Sequence, residues 1–115
     1  MDRCLSQSGG TITVGSSVTA SQAKATCTLK GDTLIGNKNK FEEDESFPHH
    51  PLLKLPKIGN RSSQGCGGII VYNGSLVIEN RSGVYISGNK GYSEGGGIGL
   101  DKNTELIMES GVIQN

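Results

Sequence analysis

From Cys66 to Asn115 the apolar positions fall in short alternating runs, each set off by glycine, asparagine or serine. Taking Ile69/Val71, Leu76/Ile78, Val84/Ile86, Ile98/Leu100, Leu106/Met108 and Val112 as inward gives six short strands with alternating faces. Asn73-Gly74 is a strong turn dipeptide between two of them. The pattern is written twice. Gly67-Gly68-Ile69-Ile70-Val71 answers to Gly96-Gly97-Ile98-Gly99-Leu100, and Leu76-Val77-Ile78-Glu79 to Leu106-Ile107-Met108-Glu109. Gly68 to Gly97 spans 29 residues and Leu76 to Leu106 spans 30, while the closing Asn89 and Asn115 lie 26 apart. Self-similarity at this period predicts a repeat architecture in which neighbouring repeats bury one continuous core. Three short strands and three turns in such a period predict one rung of a parallel β-helix.

Residues 9–37 read as a weaker earlier copy. Gly9-Gly10-Thr11-Ile12-Thr13-Val14 opens like the later repeats, with Val14, Val18 and Ala20 as inward positions. Gly31–Lys38 lines up with Gly83–Lys90, and both end Gly-Asn-Lys. That alignment sets Asp32 on Val84, an inward mismatch. Residues 38–64 break the period: they hold all three prolines, the acidic run Glu42–Glu45 and the pair His49-His50. Prolines cannot donate to a ladder, so this segment is expected to be a loop inserted between rungs. Phe47, Leu52, Leu53, Leu55 and Ile58 would pin it to the flank. The expected fold is therefore all-β: a right-handed parallel β-helix of three to four rungs over residues 1–115, with one inserted loop at 38–64.

Composition fits a thin shared core. Glycine, at 18 of 115 residues, is about twice its usual share, and aromatics make up only 4 %. Net charge is zero, so no field would draw the chain to nucleic acid or to an anionic membrane. No apolar run approaches the roughly 18 residues of a membrane span, and the opening MDRCLSQSGG has no apolar signal-peptide region. Cys4, Cys27 and Cys66 are odd in number and lack metal-site spacing, so unpaired thiols are expected.

The pattern GG-x-I … L-x-I/M-x-x-G-x-I-x-x-N resembles the repeats of right-handed parallel β-helix surface proteins. It is similar to chlamydial polymorphic outer-membrane protein repeats and to glycine-rich adhesin-like repeats of bacteria and protists. Gly67-Gly68-Ile69-Ile70, Gly96-Gly97-Ile98 and the closing Asn37, Asn89 and Asn115 carry the likeness. The sequence departs from it in having no Phe before the Asn and no Ala before the Ile. The resemblance implies a non-catalytic structural or adhesive segment of a secreted, cell-surface or outer-membrane protein, of the autotransporter-passenger kind. Its partner would be a host-cell surface protein or glycan.

Asn37, Asn89 and Asn115 are expected to stack as a structural asparagine ladder. Glu79 and Glu109 stand at equivalent positions, 30 residues apart. Adjacent carboxylates on an outer face can do general acid/base work, as acidic clusters do in pectinolytic β-helix enzymes. They are the catalytic candidates of the alternative reading, a fragment of a polysaccharide lyase or glycoside hydrolase; two solvated charges is the favoured one. His49-His50 has no further ligands at metal spacing, and Gly95–Gly99 lacks the spacing of a phosphate cradle. No cofactor or metal is expected. Asn60-Arg61-Ser62, Asn73-Gly74-Ser75 and Asn80-Arg81-Ser82 match the glycosylation acceptor pattern. An uncapped last rung would leave an edge open to end-to-end association.

Overall fold

The computed structural model describes residues 1–6, 10–16, 24–44, 56–81, 83–92 and 95–114. It is all-β. The chain makes three passes through the same four sheets, in the same order each time. The first pass supplies β1 (Leu5–Ser6), β2 (Ile12–Val14), β3 (Ala25–Leu29) and β4 (Asp32–Gly36). A short antiparallel pair follows, β5 (Glu42–Glu43) with β6 (Pro56–Ile58). The second pass is β7 (Arg61–Ser62), β8 (Ile69–Val71), β9 (Gly74–Ile78) and β10 (Gly83–Ser87). The third is β11 (Lys90–Gly91), β12 (Ile98–Leu100), β13 (Thr104–Met108) and β14 (Val112–Gln114).

Each pass places one strand in each of four short parallel sheets, and the second-pass strand is always in the middle. Four strands per pass, rather than three, is the first correction to the sequence reading. The additional column, β1–β7–β11, is built from the dipeptides Leu-Ser, Arg-Ser and Lys-Gly. Two residues cannot display a period of two, so the pattern gave no sign of them.

Alternation sets the core. In β9, Gly74, Leu76 and Ile78 are buried while Ser75 and Val77 are half-buried, so one face packs inward. Val14, Leu29, Ile35, Ile69, Val71, Leu76, Ile78, Val84 and Ile86 form one apolar cluster. Each such side chain contributes roughly 1.5–3 kcal/mol on full burial. The second-pass members are completely buried because they have a neighbour above and below.

Register follows the same apolar matching. Ile12, Ile69 and Ile98 stand in line, as do Cys27, Leu76 and Leu106, in agreement with the spacings of 29 and 30. In the fourth sheet the register is one residue away from the Gly-Asn-Lys alignment. Asp32 sits beside Gly83, not Val84, and Ile35 falls on Ile86. The alignment by turn residues would have put Ile35 beside Ser87. A one-residue slip exchanges faces, so the buried isoleucines decide. For the same reason Val112 lies beside Tyr85, and Ile113, not Val112, continues the Ile35–Ile86 column.

The insertion expected over 38–64 is shorter at its far end, since Arg61–Ser62 is already a strand of the parallel sheets. Pro56 begins β6 and is buried, and Ile58 is half-buried. Phe47, Leu52, Leu53 and Leu55, and Val18 and Ala20 of the first copy, lie outside the described residues.

Glycine is required where passes come close at corners. At Gly36 the backbone has φ +103°, and a Cβ there would fall on the Ser87 carbonyl oxygen. At Gly74, the second residue of the predicted turn dipeptide, a Cβ would fall on the Ala25 carbonyl oxygen. Only glycine tolerates both demands.

Candidate functional site

The corner between the fourth and first sheets gathers most of the polar chemistry. Asn60 and Asn89 precede the paired residues Arg61 and Lys90, so they occupy successive levels of this corner. Asn60 is fully buried: its Oδ1 accepts from the Cys4 N–H (2.9 Å) and its Nδ2 donates to the Met1 carbonyl (3.1 Å). Asn89 is also buried, and its Nδ2 donates to the Ile35 carbonyl at 3.0 Å. Each amide thus bonds backbone groups of the first pass, while the buried Oδ1 of Asn89 has no hydrogen-bond partner among the described residues. Asn37 is one residue out of line with Asn89: its Nδ2 donates to the Asp2 carboxylate at 3.1 Å and its Oδ1 accepts from the Asn39 N–H. In the described structure the amides of Asn37 and Asn89 therefore bond to other groups, not to each other. Asn115 lies outside the described residues.

Asn60 is the residue that sequence reasoning missed. The signal was present: Gly59-Asn60-Arg61 repeats the Gly88-Asn89-Lys90 ending, but it sat inside the segment assigned to the loop. As a glycosylation acceptor it is closed, because Asn60 and Ser62 are fully buried in the folded chain. Asn73 is buried as well, whereas Asn80 is exposed.

Beside this corner lies an ionic cluster. Arg61, 4 % exposed, pairs with Glu43 of β5, and Lys90 Nζ reaches the same carboxylate at 3.1 Å. Arg61 and Lys90 are register neighbours, so one acidic side chain from the inserted segment is shared by two stacked cations. Within the acidic run, Glu42 pairs at the surface with Lys57 (3.7 Å), and Glu43 is spent on this structural bridge. A shallow cleft of about 290 Å³ next to it is lined by Lys40, Phe41, Asn89 and Lys90, with the Lys90 ammonium 5.7 Å from the Phe41 ring centre.

Asp2 ties the N-terminal segment to the same corner. Burial pushes its carboxyl up, but hydrogen bonds from the Asn37 amide and from the Gly59 and Arg3 N–H groups, with the Arg3 charge, outweigh that. The net result is a carboxyl held below its ordinary range.

Glu79 and Glu109 do stand at equivalent levels: Glu79 N–H donates to the Leu29 carbonyl and Glu109 N–H to the Ile78 carbonyl. Both side chains are exposed. At a strand spacing of about 4.8 Å they form a pair open to solvent and salt. The first-pass position of that row is Lys30, also exposed. A second cleft, about 380 Å³, lies elsewhere, bounded by Ile70, Tyr72, Gly95, Gly99, Leu100 and Asp101. Neither glutamate lines it.

Among the described residues no group of three His, Cys, Asp or Glu side chains is placed to hold a metal ion. His49 and His50 lie outside them. Cys4 and Cys27 are half-buried and Cys66 is fully buried, and none of the three is in a disulfide. No helix of the described structure is long and apolar enough to cross a membrane. Compared with family models, with curated proteins and with solved structures, the chain matches none.

Proposed function

We propose that the three passes are successive turns of a right-handed parallel β-helix, and that the chain is a non-catalytic structural or adhesive segment of a surface-exposed or secreted protein. The observation that carries the reading is the order of pairing: four parallel sheets entered in the same sequence three times. Right-handedness follows from the near-universal hand of crossovers between parallel strands of one sheet. The Asn60 amide, the Asn89 Nδ2 and the Arg61 guanidinium are used on backbone and on a structural ion bridge, which favours a scaffold over a reaction centre.

The labelled chain should bind intact cells saturably, with protease or glycosidase treatment of the cells identifying the class of receptor. Absence of saturable binding to any host-cell surface would remove the adhesive role. The carbohydrate-active alternative keeps Glu79 and Glu109 as its acidic pair. Release of reducing sugar from polyuronides by the wild type, abolished in Glu79→Gln/Glu109→Gln, would replace the non-catalytic reading with that one.

A further inference from the structure

The tripeptide Asn-Arg-Ser occurs twice, at 60–62 and at 80–82, and Asn73-Gly74-Ser75 is a third match to the N-glycosylation acceptor pattern. Two of the three are identical, so local sequence cannot rank them. The fold separates them. Asn60 and Ser62 are fully buried, and both ends of the Asn60 amide are engaged, one with Cys4 and the other with Met1. Asn73 is buried too, and its carbonyl accepts the Ala25 N–H at 3.2 Å, which holds it in the seam between the first and second passes. Asn80 and Arg81 are exposed, and their side chains make no hydrogen bond or ion pair among the described residues.

Register explains why Asn80 stands out. Leu29, Ile78 and Met108 share one level position, and Leu34, Tyr85 and Val112 share another. Between these fixed points the first pass has residues 30–33, the second 79–84 and the third 109–111. The middle pass therefore crosses this corner with the most chain. It still pairs with the first pass on either side of the surplus: Glu79 N–H donates to the Leu29 carbonyl at 3.0 Å, and Gly83 N–H to the Gly31 carbonyl at 2.9 Å. The extra residues have no ladder to join and no room inward, where Ile78 and Val84 are fully buried. They leave the stack as a turn at Asn80-Arg81, with Arg81 in the left-handed conformation at φ +60°.

We infer that Asn80 is the N-glycan acceptor of the folded chain, and that folding closes both the identical tripeptide at 60 and the match at 73. The donor is an oligosaccharide joined through its first sugar carbon to a lipid pyrophosphate. Asn80 Nδ2 attacks that carbon, the bond from the carbon to the pyrophosphate oxygen breaks, and the lipid pyrophosphate leaves with the electron pair. The amide nitrogen gives one proton to a base of the transferase and keeps the other, so no oxidant or reductant is required. Ser82 lies outside the described residues, and its identity supplies the third position of the acceptor pattern. At Asn80 the new bond disturbs no contact, whereas at Asn60 it would put a saccharide where the Nδ2 now meets the Met1 carbonyl. Use of the site in the cell rests on the surface-exposed or secreted reading, because chains meet this donor on entering the secretory pathway.

The test needs no cell. The folded 115-residue chain, and synthetic peptides spanning each of the three sites, are incubated with a purified single-subunit oligosaccharyltransferase and its lipid-pyrophosphate-linked oligosaccharide. All three peptides should be glycosylated, since each presents the pattern without the fold. The folded chain should gain a single oligosaccharide, mapped to Asn80 by peptide mass spectrometry. Asn80→Gln should abolish that gain and keep the wild-type far-UV spectrum and urea midpoint, because the replaced amide is bonded to nothing. A folded chain left bare at Asn80, saccharide on Asn60 or Asn73 of the folded chain, or a gain that survives Asn80→Gln would each overturn the inference. None of these results touches the adhesive role, and absence of saturable cell binding would leave the acceptor standing.

Discussion

Ile86 and Ile113 are the same residue at the same register position on adjacent passes, which makes them a controlled comparison. Ile86 is fully buried, and both its Cγ2 and that of Ile113 approach Gly97. Truncating Ile86 to alanine removes buried methylenes and leaves a cavity, at a cost of about 3.5 kcal/mol within the 2–5 kcal/mol range for such changes. Ile113 is 39 % exposed, so the three lost carbons, at about 0.8 kcal/mol each when fully buried, are worth roughly 1.4 kcal/mol. No cavity forms, because solvent already reaches the half-exposed Ile113 at the edge strand β14. The expected gap is about 2 kcal/mol. With a urea slope of about 1.5 kcal/mol/M, the Ile86→Ala midpoint should fall about 1.4 M further than that of Ile113→Ala. The measurement is equilibrium urea unfolding followed by far-UV circular dichroism, at concentrations where the chain sediments as a monomer. Equal losses for the two variants would mean that the third pass is as enclosed as the second. The account of burial by place in the sheet, complete in the middle strand and partial at the edge, would then be wrong.

Glu43→Gln should cost about 3–5 kcal/mol, since it removes a carboxylate charge paired with the nearly buried Arg61 guanidinium; thermal unfolding would register a small change if the pair were dispensable. Gly36→Ala should prevent stable folding, whereas Gly31→Ala, at φ +69° with no atom within 4 Å of a new Cβ, should cost only about 1–2 kcal/mol; similar losses in chemical denaturation would contradict the corner geometry. The depressed Asp2 carboxyl contributes stability that is present above its unfolded value and lost as pH falls through its folded value. The difference between wild type and Asp2→Asn in urea midpoint should therefore shrink below about pH 4, and a difference constant down to pH 2 would show the bonds of Asp2 to be unimportant. Cys66 should resist alkylation until global unfolding, and burial, which pushes the Cys27 thiol up, should slow that residue relative to Cys4; labelling rates read by mass spectrometry decide.

Alternation and spacing along the letters were enough to define the alternating strands, their pairing partners across the Gly68–Gly97 and Leu76–Leu106 spacings, and the level equivalence of Glu79 and Glu109. These were legible because a repeated apolar side chain must fall on its counterpart for a shared core to be continuous. The remaining features depend on which residues approach from other passes. The two-residue strands of the β1–β7–β11 column carry no period, and their pairing exists only because the longer strands bring them together. The fourth-sheet register was settled by burying Ile35 on Ile86, which outweighed the resemblance between turns. Asn60 looked like a surface acceptor in a loop, but the corner required an amide to answer the backbone of Met1 and Cys4. Arg61 became a buried cation because Glu43 returns to it from the inserted segment. The exposures of Val14, Val71 and Leu100 (5, 0 and 48 %) appear nowhere in the letters, since the three read alike. Exposure belongs to position in the stack, and only the assembled layers assign it.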